Sequence, residues 1–186
     1  MKKATFFLVV FLSFFPFVTF PAQVTTVGLY GFINAQSASR VIKALHAARD
    51  GDVVIIDINS PGGRVDVGDR IMTAMRTSHA HVVTQVRRHA YSEATIIALS
   101  NPDVRISKSA IIHFHLGGYV KDGGPEVECN GKALQVDREC QILRENTYRD
   151  YEIHGILKYL TPAEVRFVMS GGELFKRGRT IMRHRG

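Results

Sequence analysis

The segment Val53-Val54-Ile55-Ile56-Asp57-Ile58 constrains the fold more than any other part of the chain. A nearly continuous β-branched run without polar alternation fits a strand covered on both faces, the kind found in parallel sheets flanked by helices. It stops abruptly at Asn59-Ser60-Pro61-Gly62-Gly63. On either side the hydrophobic period keeps changing. Residues 26–34 read as an opening strand, and Ser37-Ala38-Ser39 precedes Val41, Ile42, Leu45 and Ala48 at helical spacing, with Gly51-Asp52 as the stop. A second helix carries Val67, Ile71, Met72 and Met75, and His81 to Val86 is the next strand. Ser92 to Leu99 reads as helix, Val104 to Ile106 and Ala110 to Phe114 as strands, and Ala133 to Tyr159 as one long helix. Thr161-Pro162-Ala163-Glu164 combines a capping hydroxyl, a first-turn proline and a glutamate three positions after the cap, with Gly171-Gly172 as the end of that helix. This order predicts a mainly parallel α/β fold.

A length of 186 residues holds one full-sized domain, and 45% hydrophobic with 22% charged residues excludes a wholly disordered, collagen-like or multi-span membrane chain. The formal charge is +7 and includes Lys2 and Lys3. Much of the remaining basic surplus gathers in Lys176, Arg177, Arg179, Arg183 and Arg185, so residues 176–186 are expected as a solvated basic C-terminal tail. No zinc-finger spacing or RNA-binding aromatic signature is present, and no nucleic-acid partner is expected.

Residues 1–22 read as a targeting segment. Met1 to Lys3 give a basic start, and Ala4 to Phe20 follow almost without polar side chains, as a secretory signal peptide does. Two outcomes stay open: cleavage near Ala22, or retention of residues 4–22 as a single membrane anchor kinked at Pro16. Either places the domain at 24–175 outside the cytoplasm, periplasmic or anchored. An oxidising compartment would allow Cys129 and Cys140, the chain's two cysteines, to form a disulfide between a Gly-rich loop and the long helix. The alternative is two unpaired thiols, with Cys140 packed as a small apolar group.

Two loops and a strand carry the candidate chemistry. Backbone N–H groups at Gly62 and Gly63 have no side chain in front of them and suit a developing oxyanion. Ser92 falls where a strand gives way to a helix, so its hydroxyl sits among free N–H groups at the positive end of the helix dipole. It is a nucleophile there, or simply a helix cap. His113 is the candidate general base, and strand alternation puts His113 and His115 on one face with Phe114 on the other. No third ligand follows the two histidines at a metal-site spacing, so no metal is expected. His79 and His81 read as surface residues.

The motifs Ile58-Asn59-Ser60-Pro61-Gly62-Gly63-Arg64-Val65, Ala90-Tyr91-Ser92-Glu93-Ala94 and Ile112-His113-Phe114-His115-Leu116-Gly117-Gly118 resemble, in order and approximate spacing, the catalytic subunit of the Clp protease family. The resemblance implies a ClpP/crotonase-like spiral of repeated β-β-α units. It makes Ser92 the nucleophile and His113 the base, with the amides of Gly63 and Glu93 beside Gly62 as the oxyanion hole. The chain also departs from the pattern. Tyr91, Glu93 and Ala94 replace the small residues and glycine usual around the nucleophile, and no aspartate of an Arg-Asp pair follows the long helix. Glu173 is the nearest acid and the expected third catalytic residue, since Arg149-Asp150 falls too early.

The expected function is that of an exported serine peptidase. It would cleave extended peptide or unfolded protein segments through an acyl-enzyme, without ATP because no phosphate-binding loop is present, and with no cofactor. Family resemblance implies a homo-oligomer. One alternative is a catalytically inactive peptide-binding or assembly protein. Another is a Ser-Lys dyad with Lys132 as base, as in signal-peptide peptidases, which needs a desolvated lysine. A third is a crotonase-type acyl-thioester enzyme.

Overall fold

The computed structural model describes residues 21–121, 124 and 126–183. The expected strand-helix alternation is present. Strand β1 (Val24–Tyr30) leads to α1 (Ala35–Ala47), β2 (Val53–Ser60) to α2 (Val65–Thr77), and β3 (His81–Tyr91) to α3 (Glu93–Ser100). Strands β4 (Val104–Ile106) and β5 (Ile111–Phe114) follow directly. Strands β1, β2, β3 and β5 pair in parallel in that order, and β4 lies parallel to the first half of β3. The β-branched run lies at the heart of this sheet as predicted, with Val54, Ile56 and Ile58 fully buried.

Strand β3 reaches further than its apolar run implies. A register shift opposite β2, between the pairs Ile58↔Val86 and Ser60↔Ala90, accommodates Arg87 to His89 and lets the strand continue to Tyr91. Its first half pairs with β4 and its second with β5. The end of β3, and therefore Ser92, comes to lie beside the end of β2 and the middle of β5. Helix α3, which starts there, is buried from Glu93 through Leu99. A helix apolar on all sides belongs inside a core, and Ile97 and Leu99 pack there with Ile58, Ile71, Ile112 and Phe114.

Helix α1 begins earlier than Ser37 because Asn34 caps it, its side chain accepting from the N–H groups of Gln36 and Ser37. The long helix is divided into α4 (Ala133–Val136), α5 (Arg138–Ile153) and a 3-10 turn at Ile156–Tyr159. Asp137 causes the first break: its backbone is extended and its carboxylate accepts from the N–H groups of Glu139 and Cys140, starting a new helix. The Gly-rich stretch is not simply loop. It contains a small antiparallel hairpin of β6 (Gly118–Val120) and β7 (Glu126–Glu128), and a disulfide between Cys129 and Cys140 fastens its end to α5. Helix α6 (Pro162–Met169) has the expected capping box between Thr161 and Glu164.

The expected basic tail is corrected by the structure. Leu174–Arg177 form β8, antiparallel to β5, and Gly178–Arg183 form α7. Lys176 is buried, with its ammonium donating to the Tyr159 carbonyl at 2.9 Å and paired with Glu164 at 2.9 Å. Ile181 is fully buried. Positive charge alone does not keep a segment in solvent when strand alternation gives each lysine or arginine its own side. The targeting reading of residues 1–22 rests on residues 1–20, which lie outside the described residues. Among the described residues, no helix is long and apolar enough to cross a membrane.

Candidate active site

Strand β2 runs into the turn at Ser60-Pro61-Gly62-Gly63. The buried Ser60 hydroxyl accepts from the Gly62 N–H at 3.0 Å and shapes the turn. Gly62 has φ +100°, and a Cβ there would stand 2.7 Å from Ser92 Cβ and 2.8 Å from the Tyr91 carbonyl. Only glycine lets the turn come this close to the serine. Gly63 is pinned on its other side by Ile33, whose N–H donates to the Gly62 carbonyl and whose carbonyl accepts from the Arg64 N–H. That bridge leaves the Gly63 N–H unused. The turn also lies close to the Glu93 amide, 3.3 Å from the position of a Gly62 Cβ.

Ser92 has φ +53° and ψ −129° and is the one non-glycine residue with positive φ among the described residues. This is the first corner of a II′-type turn, a conformation that costs an ordinary residue about 1–3 kcal/mol. Neighbouring hydrogen bonds hold it in place. The Ser92 N–H donates to the His113 carbonyl at 3.2 Å, and the Thr95 N–H donates to the Ser92 carbonyl at 2.8 Å. The Thr95 hydroxyl bridges the carbonyls of Ala90 and His113. Ser92 makes no side-chain capping bond, so its hydroxyl is not committed to the helix it precedes.

Parallel register places His113 opposite Tyr91, and antiparallel register places it opposite Phe175. The imidazole is sandwiched between Phe175 (ring centroids 4.0 Å apart) and His115 (4.6 Å apart), with Tyr91 edge-on. Burial, with His115 beside it, pushes the His113 pKa down to about 4 against the opposing effect of Glu173. The ring is therefore neutral at physiological pH. Its Nε2 is buried without a hydrogen-bond partner, and no side-chain hydrogen bond joins it to Ser92.

Glu173, just before β8, arrives beside His113 and offers an oxygen within 4.8 Å of the histidine donor atoms. It is exposed and makes no hydrogen bond to the ring. Lys132 stands exposed at the start of α4, without the burial that a lysine base needs. The Glu93 side chain is a feature that sequence reasoning missed. It turns inward from α3 against Gly68 of α2, where a Cβ would overlap its carboxylate, and Oε1 has no partner. Burial, reinforced by Asp69 and Asp150, raises its pKa to about 9. Tyr91 stood out in the sequence only as an unusual neighbour of Ser92, and Phe175 carried no signal; pairing register places both against the imidazole. A concavity of about 790 Å³, lined by residues including Asp69, Met72, Arg76, Asn101 and His154, contains none of these groups.

Residues 20–152 match the Clp protease family. Among solved structures, a point mutant of ClpP1 from Listeria monocytogenes is similar, with 19% sequence identity, 86% of each chain covered and a TM-score of 0.63. No curated protein matches the chain. The parallel sheet and its helices are thus shared with a solved Clp structure, and the family match extends over the Gly-Gly turn, Ser92 and His113: the chain belongs to the Clp protease family.

Proposed function

We propose that this protein is an exported serine peptidase that forms an acyl-enzyme on Ser92. The observation that carries the reading is the backbone of Ser92, held at positive φ where a buried helix begins, against Gly62 and beside the His113 strand. The Ser92 hydroxyl attacks the scissile carbonyl. His113, neutral and with a free Nε2, takes the hydroxyl proton once the two side chains come within hydrogen-bond reach and returns it to the leaving amine. The Gly63 and Glu93 amides stabilise the tetrahedral oxyanion, and water then hydrolyses the ester. Glu173 orients the imidazolium from its exposed side.

Membership of the family supports a homo-oligomer acting on peptide substrates, and the lack of a phosphate-binding motif in the sequence supports action without ATP. The disulfide and the apolar leader support export, cleaved or anchored. A second reading, a peptide-binding member without catalysis, is favoured by the absence of a side-chain hydrogen bond between Ser92 and His113. Labelling with a fluorophosphonate probe and mass spectrometry separates them. The peptidase reading expects modification at Ser92, abolished by Ser92→Ala, lowered at least about a hundredfold by His113→Ala as for other general bases, and unchanged by Lys132→Ala. A folded wild-type chain that never labels supports the binding protein.

A further inference from the structure

On the reading of His113 as general base, we propose that Phe175 is its positioning residue: the phenyl ring fixes the plane of the imidazole and keeps water from it. One rung of the sheet carries Tyr91 on β3, His113 on β5 and Phe175 on β8. The Phe175 and His113 rings are stacked, with centroids 4.0 Å apart and planes 5° from parallel, and both meet the Tyr91 ring edge-on. A general base has to present one particular nitrogen to the hydroxyl proton, and a triad uses a hydrogen-bonded carboxylate to hold the imidazole for this. Here Nε2 is buried without a partner and Glu173 makes no hydrogen bond to the ring, so Glu173 acts on the imidazolium through its charge alone. A flat partner at stacking distance supplies the missing restraint by excluding most other orientations of the ring.

Phe175 is 54% exposed and His113 only 7%, so the phenyl ring meets the solvent in place of the imidazole. Its place is set by the rest of its strand. Lys176 is buried and bonded to the Tyr159 carbonyl and to Glu164. The Gly178 N–H donates to the Ala110 carbonyl at 2.8 Å, and a Cβ on Gly178 would collide with the Ser107 carbonyl. These anchors keep β8 in register, and replacing the half-exposed phenyl ring leaves them intact. Shielding also sets the pH range of the base. The titratable groups facing the imidazole are His115, Glu173 and Tyr91, while Lys176 lies on the other face of the sheet. Burial is the main cause that holds the His113 pKa down at about 4, with His115 adding to it and Glu173 opposing it. Without the phenyl ring the imidazole gains water, its pKa rises toward the ordinary 6.5, and mildly acidic solution protonates the base.

Imidazole NMR of His113 and the rate of fluorophosphonate labelling at Ser92, both followed against pH in the full chain, test this. The wild-type ring is expected to titrate near pH 4 and to show the ring-current shift of a stacked phenyl group. In Phe175→Ala it is expected to titrate well above that, and labelling at pH 5.5 relative to pH 8 is expected to fall by up to about tenfold. At pH 8, where the imidazole is neutral in every variant, Phe175→Ala is expected to stay several-fold slower than the wild type, as a misplaced base is. Phe175→Leu restores apolar cover without a flat face and is expected to recover the titration but not the rate at pH 8; Phe175→Tyr is expected to recover both. A wild-type His113 that titrates at the ordinary value, a ring that titrates alike with and without Phe175, or Phe175→Ala labelling with the wild-type rate and profile overturns the proposal. Failure of the serine reading shows separately, as a wild-type chain that labels at no pH while NMR still reports the hold of Phe175 on His113.

Discussion

Glu93 couples the structure of the candidate site to pH. Its carboxyl is buried between α3 and the Gly68 surface of α2, and its pKa is raised from an ordinary carboxylate value to about 9 by burial and by Asp69 and Asp150. The folded state therefore holds a proton that the unfolded chain releases near pH 4.5. The stability associated with that proton is fully present below the unfolded value and is lost as pH rises toward the folded one, with a limiting slope of about 1.4 kcal/mol per pH unit. Glu93→Gln keeps the shape of the protonated acid and has no proton to lose. It is expected to melt higher than the wild type at pH 8 and to show a much smaller difference at pH 5; denaturation curves that stay parallel across this range would reject the account. At this scale, the positions of the Gly-Gly turn, Ser92 and His113 at the ends and on the face of strands were readable because they depend on local backbone. The inward turn of Glu93 and the aromatic walls were not, since they depend on which residues face one another across packed elements.

The elements reflect the same division. The buried strand, the short β4 and the capping box of α6 followed from runs and local signals. The hairpin hidden in the glycines did not, because each of its strands has only three residues and acquires meaning through its partner. Asp137 broke a helix that the apolar period alone made continuous: its carboxylate caps α5, and its other oxygen accepts from the Tyr119 hydroxyl at 2.8 Å. The disulfide then fastens this satellite, whose small core comprises Leu116, Leu134 and the two cysteines. Closing a loop of this length is worth about 3 kcal/mol. The paired substitution Cys129→Ser/Cys140→Ser is expected to lower unfolding free energy by roughly that amount in chemical denaturation. Thiol counting on the denatured, unreduced wild type should find none; two free thiols would remove the bridge from the account.

Across the whole molecule, the candidate nucleophile is attached to the interior. Helix α3 has no wet face, and the strand that delivers Ser92 is the central partner of β2, β4 and β5. The C-terminal segment adds to this support from β8 and α7 instead of trailing away. Elements with so much of their surface buried open only through large-scale unfolding. Amide deuteration should therefore be slowest in α3 and the second half of β3, and probe reactivity at Ser92 should disappear on heating along the same curve as far-ultraviolet ellipticity. Early inactivation well below the melting transition would contradict this. A reactive group mounted this way gains its durability from the domain's collective resistance to heat, so mutations that loosen distant parts of the interior should shorten the working half-life of the site even when they leave its chemistry untouched.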